Sequence, residues 1–141
     1  MIEIARNITN KLARKPKTLF LIDSAGAMIT AALLFFVLRN FNHHFGMPIE
    51  VLTYLALVAA CFCVYSSVCY FLLKDYWTPF IRAISIANLL YCILTIGLLI
   101  FYYPRLTLLG ATYFLTEVVV ICGLVYIELN VATELKKNRA T

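Results

Sequence analysis

Charge is what this chain has least of. Only 13% of its 141 residues are Asp, Glu, Lys or Arg, against about 25% in a soluble domain. Hydrophobic residues make up 63%. A water-soluble fold of this length would expose apolar patches well beyond the few hundred Å2 or so that soluble monomers tolerate. Other absences narrow the chemistry. No Cys-x-x-Cys is present, so the redox and zinc sites that need that spacing are excluded. Cys61, Cys63, Cys69, Cys92 and Cys122 all lie inside apolar runs, where they read as small core residues. No phosphate loop, nucleophile–base motif or metal-ligand set appears. No catalytic residue, metal site or cofactor is therefore expected. Internal repeats, a Gly-x-x-x-Gly motif and lipidation signals are missing as well.

What remains is long apolar sequence. About 20 residues are needed to cross ~30 Å of hydrocarbon as a helix. Four stretches qualify, at about 19–38, 49–73, 79–103 and 106–129. The first is longer than the ~7–15 residues of a signal-peptide core and holds Asp23, so it reads as a span. Pro48 and Pro79 fall at span starts, where a missing N–H is harmless. Thr78 is placed to cap the third helix, and Pro104 ends it. Tyr76-Trp77 and Phe101-Tyr102-Tyr103 supply aromatics at opposite interfaces. The expected fold is an all-α integral membrane four-helix bundle in one domain (19–129), preceded by a basic segment (1–18) and followed by a basic tail (130–141).

Positive charge predicts the orientation. Arg6, Lys11, Arg14, Lys15 and Lys17 precede the first span, Lys74 lies between spans two and three, and Lys136, Lys137 and Arg139 follow the fourth. The other two connections carry only Arg39 and Arg105. Both termini are thus expected in the cytoplasm. The basic tails are suited to anionic inner-leaflet lipids. Ile4, Ile8 and Leu12 recur every fourth residue in a basic setting, and read either as an amphipathic helix on the inner leaflet or as a disordered tail. The net charge of +5 is not interleaved with aromatics, which argues against a nucleic-acid partner. The expected location is a bacterial cytoplasmic membrane, with a homo-oligomer or a larger membrane complex as possible assembly.

Ionisable residues inside a span are functional candidates by default. Asp23, Arg82 and Glu128 fall at one level near the cytoplasmic face, and an ion pair of Arg82 with Asp23 or Glu128 is expected to pin helices together. Glu117 falls near mid-membrane, where desolvation favours the neutral acid, within reach of Asn88 or Tyr91. Arg82, Ser85, Asn88, Cys92 and Thr95 form one stripe on span three. Cys63, Ser66, Ser67 and Tyr70 share a sector of span two, and Tyr113, Thr116, Glu117 and Glu128 a sector of span four. Glu117, Asn88, Asp23, Tyr91 and Ser67 are the candidates for ligand or ion binding. Small residues spaced by four, Ala27 and Ala31 against Ala56, Ala60, Cys63 and Ser67, favour close approach of spans one and two. His43 and His44 sit in an outer connection without further ligands, and read as interfacial loop residues. The first functional expectation is an accessory or scaffold protein with a polar intramembrane core. The alternatives are a small oligomeric, proton- or cation-coupled transporter or channel centred on Glu117, and a lipid- or quinone-binding membrane enzyme.

Overall fold

A computed structural model describes residues 1–141. Six helices account for the chain: α1 (Ile2–Arg14), α2 (Pro16–Leu38), α3 (Asn42–Phe45), α4 (Ile49–Leu72), α5 (Trp77–Phe101) and α6 (Leu108–Ala140). There are no strands. α2, α4, α5 and α6 are each long and apolar enough to cross a membrane. Their outer surfaces carry Leu, Ile, Val and Phe side chains in the open, as lipid-facing helices require and water-facing ones cannot sustain.

Local chemistry sets the helix ends. Pro16 opens α2 at its first turn. Pro48 caps α4. α6 opens at Thr107, whose side chain accepts from the Gly110 N–H at 3.1 Å. α5 departs from expectation: it starts at Trp77 after Tyr76, which takes a left-handed backbone (φ 62°), and Thr78 makes no capping bond. The proline at position 79 is thereby placed in the first turn, where it still costs no hydrogen bond. A larger departure concerns residues 130–141, expected as a tail. α6 runs unbroken to Ala140 and is roughly 50 Å long at 1.5 Å per residue. Nothing in 130–140 breaks a helix, and Val131 and Ala132 are fully buried there. Their cover is α1, which packs along this extension through Thr9 and Leu12. Residues 2–14 are thus helical and docked, while Ile4 and Ile8 stay exposed on the flank.

The spans form two antiparallel hairpins. α2 packs closely on α4, and α5 on α6. Across the bundle, α2 and α6 touch only briefly, as do α4 and α5. The α2–α4 seam is built on small residues: Ala56 and Ala59 are buried, and Ser24 Oγ lies 2.7 Å from Ser67 Oγ and 3.6 Å from Cys63 Sγ. On α5–α6 the Sγ atoms of Cys92 and Cys122 lie 3.8 Å apart. All five cysteines are free thiols.

Two apolar clusters close the ends of the bundle. Leu19, Phe20, Cys69, Ile81, Ile84 and Val131 fill the end that carries α1. Leu34, Leu38, Phe45, Met47, Leu52, Leu99 and Phe114 fill the opposite end. At that opposite end α3 is wedged against the connection before α6. Gly46 takes φ 78°, and a Cβ there would lie 2.0 Å from the Arg105 carbonyl oxygen. A Cβ on Gly110 would lie 2.1 Å from the Phe45 carbonyl oxygen. The Thr107 hydroxyl donates to the His44 carbonyl at 2.6 Å. Near this end the last turns of α2, Leu33–Leu38, are π-helical, with Arg39 N–H bonded to Leu34 O, five residues back.

Candidate functional site

Polar side chains from all four spans converge between the two apolar clusters. Asp23, on α2, is 3% exposed. Its Oδ1 accepts from the Asn88 amide of α5 at 2.9 Å, and its Oδ2 accepts from the Ser66 hydroxyl of α4. The Asp23–Asn88 bond crosses from one hairpin to the other. Glu128 of α6 is wholly buried and accepts from the Ser85 hydroxyl at 2.9 Å. Its carboxyl lies beside those of Asp23 and the Asn88 amide, and its Oε1 has no hydrogen-bond partner.

Roughly 16 Å from Glu128, by the 11-residue separation along α6, stands Glu117. Its Oε1 accepts from the Tyr91 hydroxyl at 3.1 Å, while Oε2 is buried without a partner. Tyr113 stands near the same carboxyl. Buried polar atoms are nearly always satisfied, so an orphaned carboxyl oxygen marks a position awaiting a donor.

Glu117 also lines a cavity of about 550 Å3, within the ~300–1,000 Å3 range of small-molecule sites. Asp23, Asn88, Tyr91 and Tyr113 share the wall with it, together with Phe62 and Ala59 of α4. The remaining wall comes from α2 (Gly26, Ile29, Leu33) and α6 (Leu109, Thr112, Thr116, Val120), whose side chains are exposed on the bundle exterior. The cavity therefore opens sideways between α2 and α6, where those helices barely meet. No Lys, Arg or His lines it.

The sequence candidates divide accordingly. Glu117, Asn88, Asp23 and Tyr91 meet at the cavity. Asn88 bonds to Asp23 rather than to Glu117, and Tyr91 takes the Glu117 carboxyl. Ser67 is spent on the α2–α4 seam with Ser24. The expected ion pair does not form: Arg82 is exposed on the outer side of α5, with Ile81 and Ser85 taking the inward positions. Desolvating a guanidinium is costly, and Arg82 stays outside the bundle near the start of α5. Asp23 and Glu128 are served by hydroxyls and an amide instead. The stripe on α5 already pointed to Ser85, and the α4 sector to Ser66. Phe62 and Gly26 carried no signal, since an aromatic and a glycine in an apolar run look like packing. His43 and His44 are exposed within α3, ring centroids 4.0 Å apart, and belong to no potential metal cluster.

No family model, curated protein or solved structure matches this chain.

Proposed function

We propose that this protein binds an amphiphile dissolved in the bilayer, admitting it sideways between α2 and α6. The observation that carries this reading is the sideways-opening cavity with an orphaned carboxyl oxygen on Glu117. An apolar chain suits Ile29, Leu33, Leu109 and Val120, and a polar head suits Glu117, Tyr91 and Asn88. The buried apolar clusters at the two ends of the bundle argue for a binding protein or carrier and against an open pore. In this reading the bilayer is the protein's solvent and both termini face the cytoplasm, as the distribution of Lys and Arg supports. The exposed Ile4 and Ile8 of α1 then rest on the inner leaflet.

A second reading has its own support. The Asp23–Ser66–Asn88–Ser85–Glu128 network joins all four spans, as a scaffold with a polar core requires. The two roles are separable because the network and the cavity share only Asp23 and Asn88.

Photolabelling tests the proposal. A long-chain alcohol bearing a diazirine, incorporated in liposomes with the protein, is expected to label α2 around 26–33 and α6 around 109–120. A Cβ at Gly26 would meet no atom within 4 Å, so Gly26→Phe should fill the cavity and remove that labelling without unfolding the bundle. Uniform labelling of all lipid-facing helices, unchanged by Gly26→Phe, would overturn it.

A further inference from the structure

The chemistry of the cavity wall also selects the head group. We infer that the ligand is a cationic amphiphile, an amine or quaternary ammonium on an apolar chain; this rests on the lateral-pocket reading above.

Three observations converge. The first is charge. Asp23 and Glu117 are both buried in the cavity wall, and no Lys, Arg or His lines it. A cation is the head group that can form an ion pair with a carboxyl in such a wall, provided the surrounding groups also satisfy it. The second is the aromatic wall. Phe62, Tyr91 and Tyr113 face the cavity from three helices, and the Phe62 and Tyr91 rings pack edge to face at 6.1 Å. Aromatic rings around a carboxyl form the type of site that holds ammonium groups through the ring quadrupole. The third is the orphaned Oε2 of Glu117. The side chain is nine-tenths buried, and its other oxygen is already held by Tyr91. An N–H donor or an ammonium charge supplies what that oxygen lacks. An anionic head would meet Asp23 and Glu117 with no compensating cation, and a neutral head would gain hydrogen bonds but no ion pair.

The test uses three amphiphiles of one chain length, dodecyltrimethylammonium, dodecanol and dodecanoate. Each is titrated onto the full chain in phosphatidylcholine nanodiscs, with empty nanodiscs as the partition control. The ammonium compound is expected to bind about tenfold or more tighter than the alcohol, and dodecanoate weakest. Glu117→Gln keeps the acceptor for Tyr91, and should bring the affinity for the ammonium compound down to that for dodecanol. Tyr113→Leu should reduce the preference in part. Circular dichroism of each variant establishes that it is folded. Equal affinity for ammonium and alcohol, or a preference that survives Glu117→Gln, overturns the cationic assignment and leaves the lateral pocket standing. Absence of saturable binding by all three compounds overturns both.

Discussion

Removing the Asp23 carboxyl should loosen the two hairpins from each other, and the size of the effect can be worked out. Asp23 accepts from Asn88 across the hairpin boundary and from Ser66 within its own hairpin. Interhelical hydrogen bonds within a bilayer average ~0.6 kcal/mol and reach ~1.7. Asp23→Ala, which forfeits two of them, should therefore cost about 1.2–3.4 kcal/mol. Part of this loss is offset, because the neighbouring Glu128 no longer faces a second acid. The measured value should thus lie in the lower half of that interval. Asp23→Asn keeps an acceptor oxygen and should cost about half as much. A double-mutant cycle of Asp23→Ala with Asn88→Ala isolates the cross-hairpin bond, with an expected coupling of about 0.6–1.7 kcal/mol. Reversible unfolding in bicelles supplies the free energies. A coupling within ~0.3 kcal/mol of zero would refute the reasoning, since it would mean that Asn88 and Asp23 do not hold one another.

Other outcomes follow from the same geometry. Gly46→Ala and Gly110→Ala should each destabilise by about 2–4 kcal/mol through clash with carbonyl oxygens, whereas Gly97→Ala and Gly123→Ala, with open space at the Cβ, should be neutral or stabilising by up to ~1 kcal/mol; thermal unfolding distinguishes the sets. Leu12→Lys places a charge in the α1–α6 contact, and should expose residues 2–14 to limited proteolysis while leaving the four-span unfolding transition in place. Asn42→Cys should react with a membrane-impermeant maleimide in intact cells, and Asn138→Cys only after lysis; the reverse pattern would refute cytoplasmic termini.

Much of this architecture is legible in the residues themselves. Four apolar runs and their proline punctuation follow from one-dimensional spacing, because lipid imposes a single length scale on every helix. The small-residue seam follows in part, since Ala56, Cys63 and Ser67 lie on it while Ala60 is exposed and Ala59 takes its place. The pairing of polar groups is less legible. Asp23, Arg82 and Glu128 lie at one level by residue counting, but level alone does not fix the direction in which a side chain points. Ile81 and Ser85 take the inward positions on α5, which leaves Arg82 outside. The extension of α6 was hidden for another reason. Its polar residues resemble a tail, and its helical form is stabilised by α1, more than 100 positions away in sequence. The cavity is the least legible feature. It arises where two helices fail to touch, and no residue type encodes a gap.

The π-helical turns at Leu33–Leu38 let one helix keep two independent azimuths. A π turn amounts to one additional residue in an α-helical run. Before it, Asp23 is aimed at Asn88; within it, Leu34 and Leu38 are both sealed in the far apolar cluster. Because the turn already absorbs one extra residue, deleting a single residue between 33 and 38 would restore the ordinary pitch and leave everything beyond on nearly its present bearing. The same deletion in the regular turns between Asp23 and Leu33 would swing everything beyond by about 100°, turn the leucines toward lipid and undo the stopper at that end.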